Sequence, residues 1–190
     1  MNRAQLIESL KQDTLVIIEE VKALAKLDEE ILTMKADAKR WSILECIEHL
    51  NIADAHYLMQ FDKKLRIATP SQNMACDSTY LGKLFINKIK PRADGSIPSP
   101  MKTMRKFDPD VTVHKDTISK FLEDQQELLK YLDMCQRLDL QKIKIPSALG
   151  AIITFRLGDA LQFLIGHNQR HIIQAKNVLK ELGQESVLVS

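Results

Sequence analysis

Hydrophobic residues recur at helical spacing through most of the chain, and four long segments carry this pattern. In each segment the apolar positions fall three or four residues apart, which places them in one stripe along a helix. The pattern predicts helices at about residues 3–25, 43–66, 115–136 and 157–182. We find no convincing strand signal, internal repeat or low-complexity tract. The expected fold class is therefore all-α: a single four-helix-bundle domain over residues 1–190, with a long irregular crossover.

Local signals mark where some of these helices begin and end. Ser42-Ile-Leu-Glu45 fits a capping box, with Ser42 as the N-cap residue. Trp41, just before the cap, is expected to pack on Cys46 as a hydrophobic staple. Gly183, just past the last predicted helix, is typical of a helix C-terminus. These residues support the second and fourth helices independently of the hydrophobic pattern.

The crossover at residues 67–114 differs in composition from the helices. A short helix is expected within Asp77–Ile89, and the residues that follow include several breakers of regular structure: Pro91, Gly95, Pro98, Pro100 and Pro109. Between Lys83 and Lys106 there are seven Lys or Arg residues against one acid, Asp94. This basic segment is either a solvated linker or a rim that attracts an anionic substrate or partner.

Composition narrows the class of protein. The 190 residues are 45% hydrophobic and 27% charged, which is ordinary for a soluble globular domain. A net charge of +2 argues against a dedicated nucleic-acid binder, and no apolar run approaches the roughly 20 residues of a membrane span. The start of the chain lacks a secretory apolar stretch. Three widely spaced cysteines, Cys46, Cys76 and Cys135, favour a reducing cytoplasm over a disulfide framework.

Three histidines supply the candidate chemistry. His167 and His171 are four residues apart, so both imidazoles leave one face of the last helix, at the edge of its apolar stripe. His49 lies among apolar residues of the second helix. Two imidazoles at this spacing can bind one metal ion, and a third would complete a site that keeps positions open for water or substrate. The spacing alone leaves both a metal site and hydrogen-bonded core histidines open.

Other metal motifs are excluded by the residues present. A zinc-protease helix needs Glu directly after the first histidine, where this chain has Asn168. The paired Glu-x-x-His motifs of di-iron bundles are missing from both histidine segments. An all-nitrogen ligand set suits Zn, Ni, Fe or Cu and suits Mg or Ca poorly. Two non-catalytic interpretations stay open: metal binding for stability or storage, and partner binding through the basic segment.

Several polar residues lie near the predicted ligands along the helices. Three are candidates for hydrogen bonds that orient the imidazoles: Gln174, Asp54 and His56. For Asp54 an ordinary polar helix edge is equally open, and His56 also suits a partly exposed bundle position. Cys46, one turn before His49, could approach a metal, but its expected role is in packing. His114, at a loop-to-helix junction, is expected to be solvated.

The two histidine segments together resemble a known family. Trp41-Ser42-x-x-Glu45-x-x-x-His49-Leu50, followed downstream by His167-x-x-x-His171-x-x-Gln174, is similar to the pattern of the DinB-like (YfiT-like) family. The segment 100–109, leading into a helix, also resembles that family's layout, and the resemblance covers about residues 3–182. It implies an up-down-down-up four-helix bundle with a metal held by three histidines. It also implies a homodimer, since members are often dimers.

The resemblance implies an activity as well. Members are described as metal-dependent hydrolases or as thiol transferases, including transferases for low-molecular-weight thiols such as bacillithiol and mycothiol. We therefore expect an enzyme with a divalent transition metal, Zn or Ni first and Fe or Mn next, on His49, His167 and His171. The expected substrate is a small molecule, with a low-molecular-weight thiol as one candidate. The residues do not indicate a general base beyond Asp54.

Overall fold

Six α-helices account for most of the described chain. The computed structural model describes residues 1–98, 103–109, 113–150 and 153–184. Its helices are α1 (Arg3–Leu24), α2 (Glu29–Thr33), α3 (Ile43–Leu65), α4 (Tyr80–Ile89), α5 (Asp116–Cys135) and α6 (Leu157–Glu181). The four long predicted helices correspond to α1, α3, α5 and α6, with each end within one residue of the prediction. The predicted all-α fold class is confirmed.

Reciprocal capping boxes start two of these helices. At α3 the Glu45 backbone N–H donates to Ser42 Oγ at 3.2 Å, and the Glu45 carboxylate accepts from the Ser42 N–H at 2.8 Å. The predicted helix start is therefore confirmed. Asn2 and Gln5 make the same pair of bonds at α1. Each N-cap side chain contributes about 1 kcal/mol, because it satisfies a backbone N–H that has no partner within the helix.

The directions of α1, α5 and α6 follow from contacts at their ends. The Lys115 ammonium, at the start of α5, donates to the Leu27 carbonyl just past the end of α1 at 2.9 Å, so α5 runs antiparallel to α1. Lys176, late in α6, pairs with Glu20, late in α1, at 2.7 Å. The first and last long helices are therefore parallel, and α5 runs against α1.

The remaining long helix, α3, runs parallel to α5. Asn51 Nδ2, in the first half of α3, donates to the Thr117 carbonyl near the start of α5 at 3.0 Å. Tyr131 Oη, late in α5, donates to Asp62, late in α3, at 3.1 Å. In chain order the four long helices run up, down, down and up. This is the topology that the family resemblance implied.

The core lies between these four helices. The apolar residues that recur at helical spacing along α1 are buried, each with 3% or less of its surface exposed: Leu6, Ile7, Leu10, Ile17, Ile18, Val21 and Leu24. Aromatic side chains fill the centre of the bundle, among them Tyr57, Phe61 and Phe121. A fully buried side chain of this size stabilises the fold by roughly 1.5–3 kcal/mol.

A short sheet corrects the expectation that the chain has no strands. Strands β1 (Lys144–Pro146) and β2 (Thr154–Arg156) pair antiparallel, with Ile145 opposite Phe155. Both of these side chains are buried. Three residues are too few to show the alternation by which a strand is recognised. The pairing therefore depends on the tertiary fold, which brings the two segments together before α6.

The connectors are more ordered than the sequence indicated. The five-residue helix α2 lies within the predicted connector between α1 and α3 and buries Leu32. The short helix expected within Asp77–Ile89 is present as α4, and a 3₁₀ turn follows at Arg105–Phe107. The basic segment between Lys83 and Lys106 is thus partly helical. The segment 100–109, which resembles the family's layout, begins at Pro100, and this residue lies outside the described residues.

Helix α4 is attached to α6 through a buried carboxylate. Asp159, in the first turn of α6, accepts hydrogen bonds from Thr79 Oγ1 at 2.8 Å and from the Thr79 N–H at 3.2 Å. Thr79 in turn caps α4 by accepting from the Gly82 N–H at 2.8 Å. A Cβ atom at Gly82 would lie 2.3 Å from the Asp159 carboxylate, so the contact requires glycine.

We predict that Gly82→Ala lowers the free energy of unfolding by about 1–3 kcal/mol, because the added methyl group overpacks this contact. The loss should outweigh the roughly 1 kcal/mol by which alanine favours a helix over glycine. Urea unfolding followed by circular dichroism measures the change. Gly158→Ala is a matched control, since its Cβ would meet its nearest neighbour, Leu140, at an ordinary 3.6 Å. Equal stability of the two variants would contradict the prediction.

Candidate metal centre

Three histidines from two helices meet between α3 and α6. His49 lies in the second turn of α3, and His167 and His171 lie one turn apart near the middle of α6. Because α3 and α6 pack against each other, one ring nitrogen from each histidine falls within 4.8 Å of the others. The structure therefore confirms the predicted convergence of side chains about 120 positions apart.

The His49 ring is oriented by a backbone carbonyl. Its Nδ1 lies 2.7 Å from the Phe107 carbonyl oxygen, which can only accept, so Nδ1 carries the proton. The lone pair of His49 is then on Nε2, which faces His167 Nε2 at 3.2 Å. A carbonyl that fixes the tautomer in this way is typical of metal-binding histidines. This orientation leaves His49 Nε2 able to serve as a metal ligand.

His171 has a buried nitrogen without a protein partner. Its Nδ1 is fully enclosed and forms no hydrogen bond with any described residue. The His171 ring centroid lies 4.5 Å from that of His49 and 4.6 Å from that of His167. A buried imidazole nitrogen normally finds a hydrogen-bond partner. An unpartnered nitrogen beside two further imidazoles fits a bound cation.

Burial keeps all three imidazoles neutral at pH 7. Desolvation is the main cause that lowers the pKa of His167 to about 3, and the neighbouring His49 and Arg170 further disfavour a proton there. Desolvation is also the main reason that the pKa of His171 lies well below its usual value, and the nearby Gln174 side chain opposes this shift. Burial likewise lowers the pKa of His49. Neutral imidazole is the form that binds a metal, so the donor set fits a divalent transition ion.

Two aromatic rings pack against the histidines. The Trp41 ring lies 4.8 Å from the His49 ring and 6.0 Å from the His171 ring, measured between centroids. Phe163 stacks nearly parallel on His167, with centroids 6.2 Å apart. The hydrophobic staple expected between Trp41 and Cys46 stays a prediction. The ring contacts show that Trp41 also packs directly on the candidate ligands.

The three residues expected to orient the ligands occupy different positions. Gln174 lines the same cavity as the histidines, and its side chain raises the pKa of His171. His56 Nε2 lies 3.0 Å from the Pro146 carbonyl oxygen, and its ring packs on Tyr57. Asp54 is bonded to side chains of α5 and α6. The structure brings Gln174 to the site and places the other two outside the lining of the cavity.

Asp54 forms a buried polar network across three helices. Its Oδ2 accepts from Gln125 Nε2 on α5 and from Asn168 Nδ2 on α6, both at 2.9 Å. Asp54 Oδ1 and Asn168 Oδ1 are buried and accept no hydrogen bond from a described residue. Asn168 follows His167 directly in the chain. Asp54 therefore acts on the site through α6, by holding the helix next to a candidate ligand.

Two further sequence candidates lie apart from the cluster. Cys46 is buried, and burial raises the pKa of its thiol. It is not part of the group of close metal-binding side chains that the described residues form. His114 is exposed and lies 3.8 Å from Glu29, which confirms its predicted solvation. The candidate centre therefore consists of the three histidines.

A cavity of about 850 Å³ opens beside the histidines. Its wall includes Tyr57 and Phe163 near one end, Arg170 along the side, and Asp108 next to the Phe107 carbonyl. The sequence did not single out any of these four residues. The sequence has no pattern that marks these residues, because a residue lines a cavity only after several elements have packed together. Asp108 lies within the segment 100–109 that resembles the family, but no feature of that segment marked it as a lining residue.

The fold and this centre define the class of protein: a four-helix bundle with three histidines grouped beside a cavity. A family model described as the DinB superfamily matches residues 20–175. The chain therefore belongs to the DinB superfamily, and the resemblance based on its histidine motifs is confirmed. Neither the comparison with curated proteins nor that with solved structures gave a match. In the described residues, none of the helices is long and apolar enough to cross a membrane.

The site yields a prediction about metal binding. Trp41 is the chain's one tryptophan, and it lies against two of the imidazoles. We therefore expect Co²⁺ or Ni²⁺ to quench the fluorescence of protein purified without a metal-affinity tag. His171→Ala should weaken binding at least about 100-fold, since loss of a residue that merely supports a ligand already costs 10–100-fold. Titration by fluorescence, with elemental analysis, measures both effects.

His114→Ala serves as the control for that titration, because it removes an exposed histidine that is not in the cluster. It should bind the metal as tightly as the unchanged chain. If the unchanged protein neither binds metal nor shows quenching, or if both variants lose binding equally, the centre does not hold a metal.

The buried network yields a prediction about pH. Desolvation raises the pKa of Asp54 to about 7, against hydrogen bonds from Asn168 and Gln125 that lower it. Between about pH 4 and 7 the Asp54 carboxyl group is protonated in the folded chain and ionised in the unfolded chain. Because the folded state binds more protons there, this group makes the free energy of unfolding fall as the pH rises from about 4 to 7. Asp54→Asn should flatten that fall and stabilise the fold at pH 8 by roughly 1–3 kcal/mol.

Urea unfolding of the Asp54→Asn variant at several pH values between 4 and 8 tests this. Glu123→Gln is the matched control, because it neutralises an exposed acid on α5. The control should keep the pH dependence of the unchanged chain. An Asp54→Asn variant whose stability still falls as steeply between pH 4 and 7 would show that Asp54 is ionised throughout.

Proposed function

We propose that this protein is a metal-dependent enzyme in which His49, His167 and His171 hold one divalent transition ion. The observation that carries the proposal is the grouping of three neutral imidazoles, with their nitrogens within 4.8 Å, beside a cavity large enough for a small molecule. Zn or Ni fits an all-nitrogen donor set first, and Fe or Mn follows. Gln174 supports His171 as an outer residue of the site.

The number of donors supports a catalytic rather than a purely structural ion. Structural zinc sites are closed by four protein ligands, whereas catalytic sites have three and keep a position open. Among the described residues the cluster has three members, and His167, the least buried of them, lines the cavity. A substrate in the cavity therefore has access to the centre.

The chemistry that such an ion supplies is acidification, since three neutral imidazoles leave its charge intact and it lowers the pKa of a water or thiol that reaches it. The chain's own residues prepare the site. The Phe107 carbonyl holds His49 in one orientation. Trp41 and Phe163 place apolar ring surface against the imidazoles.

Asp108 is our candidate for the proton acceptor. It carries the one carboxylate among the described residues that line the cavity, and it lies close enough to act electrostatically on His49. A carboxylate near the reacting water or thiol can accept its proton, and general-base catalysis typically contributes 10²–10⁴-fold in rate. We assign this role to Asp108 rather than to Asp54, whose carboxyl group is enclosed between helices.

The proposal covers two reactions of one site, hydrolysis of an ester or amide and transfer of a low-molecular-weight thiol to an electrophile. Both substrates are small molecules, which suits the cavity volume. The cytoplasmic location and the homodimer stay predictions from the sequence. Cys46, Cys76 and Cys135 are free thiols, as a reducing compartment favours.

A panel of reactions tests the proposal on tag-free protein loaded with Zn²⁺ or Ni²⁺. It comprises p-nitrophenyl esters, anilides, and cysteine with an aryl chloride, which separate hydrolase from thiol transferase. We expect turnover with one class and a loss of at least about 100-fold in His49→Ala. Asp108→Asn should lower kcat by 10²–10⁴ while the metal content stays unchanged.

His114→Ala should retain full activity, since it removes a histidine outside the cluster. Metal-loaded protein that is silent on every substrate of the panel would favour metal binding without turnover. Turnover that is equal with and without metal would contradict the proposal directly.

A further inference from the structure

We infer that the cavity beside the three histidines takes an elongated organic anion, with its apolar body against Tyr57 and Phe163 and its anionic group toward Lys39 and Arg40. The inference rests on the proposed function, which it deepens by naming a substrate class. It follows from how the lining residues are distributed along α6.

The cavity extends along the length of α6. Its lining includes residues of this helix from Phe163 to Asn177, with His167 and His171 between them. At 1.5 Å per residue these positions span roughly 20 Å along the helix axis. The volume of about 850 Å³ lies in the range of small-molecule sites. The occupant is therefore long enough to extend past the histidines in both directions.

The end near Phe163 is apolar. Tyr57 and Phe163 lie with ring centroids 6.1 Å apart, and the Ala148 N–H donates to Tyr57 Oη at 3.4 Å, which places the 148–149 turn beside them. Ala148 and Leu149 line the same part of the wall. Aromatic and aliphatic side chains in a concave site favour an apolar or aromatic group by burying its surface.

The opposite end carries positive charge. Arg40 forms an ion pair with Glu181, at the C-terminal end of α6, so the Lys39–Arg40 pair lies beyond Asn177. Both residues line the cavity and are exposed. No described carboxylate lies within ion-pair distance of the Lys39 ammonium.

Charge along the whole wall points the same way. Arg170, with 6% of its surface exposed, adds a guanidinium to the side of the cavity, where it donates to the Pro98 carbonyl at 3.2 Å. Asp108 is the opposing charge among the described lining residues, and Glu181 offsets part of the charge on Arg40. Among the described lining residues three side chains are cationic, Lys39, Arg40 and Arg170, and one is anionic, Asp108. This balance favours a carboxylate or sulfonate on the ligand.

The test uses two dyes of the same shape and different charge on metal-free protein. 8-Anilinonaphthalene-1-sulfonate is an aromatic anion, and N-phenyl-1-naphthylamine is its neutral counterpart. Energy transfer from Trp41, the chain's one tryptophan and a lining residue, reports binding in this cavity. We expect the anion to bind more tightly than the neutral dye and to weaken with added salt, which screens exposed charges.

Two variants separate the ends of the cavity. The double variant Lys39→Gln with Arg40→Gln should weaken binding of the anionic dye about three- to tenfold, as expected for the loss of two exposed charge pairs. Its affinity for the neutral dye should stay within twofold of the unchanged chain. Leu149→Gln should weaken both dyes. The control, Lys63→Gln with Lys64→Gln, neutralises two exposed lysines at the end of α3 and should change neither. Thermal unfolding confirms that each variant is folded before it is titrated.

The inference is wrong if the charge-removing variant binds both dyes unchanged, or loses both equally, or if bound dye receives no energy from Trp41. Because the titration needs no metal, its outcome is separate from that of the proposed function. Dye binding with the expected charge dependence in a protein that never binds metal would overturn the enzyme proposal alone. Metal-dependent turnover without charge-dependent dye binding would overturn the substrate class alone.

Discussion

The packing of α3 against α6 is the constraint on which the rest of the site depends. It brings His49 to His167 and His171, and it does so inside a bundle whose apolar core disfavours any unpaired polar group. One nitrogen of His49 is bonded to the Phe107 carbonyl, and its other nitrogen faces His167 Nε2. One ring nitrogen from each of the three histidines lies within 4.8 Å of the others. The crossover between α4 and α5 is thereby tied to the centre, because it supplies that carbonyl.

Buried polar contacts outside the centre fix how the helices sit. The Asp54 carboxyl group connects α3 with α5 and α6 through Gln125 and Asn168. Asp159 connects α6 with α4 through Thr79. Apolar surfaces tolerate small rotations and slides, whereas a hydrogen bond in the core holds only in one register. These contacts therefore position the face of α6 that carries the two histidines, at a modest cost in stability.

Membership of the DinB superfamily and the geometry of the centre support each other, yet they answer different questions. The family assignment rests on a match over residues 20–175, which include all three histidines. The shape and charge of the cavity depend on residues in the connectors, such as Lys39, Asp108 and Leu149. The three histidines thus come from the helices, whereas part of the cavity wall comes from the segments between them.

The sequence by itself determined the four long helices, because each has a full stripe of apolar residues. Local signals also mark the start of α3 and the end of α6. It also indicated the three histidines, since imidazoles on an apolar helix face need hydrogen-bond partners or a shared cation, and the sequence left that choice open. Only the tertiary structure decided what lies around them. The β1–β2 pairing joins residues 8 to 12 positions apart, which are too short as strands to be recognised in the sequence. The Phe107 carbonyl on His49 and the partners of Asp54 join residues 58 to 114 positions apart. The cavity lining also combines residues of several elements. A backbone carbonyl or a lining side chain leaves no periodic trace in the sequence, so these contacts appear only when the helices have packed.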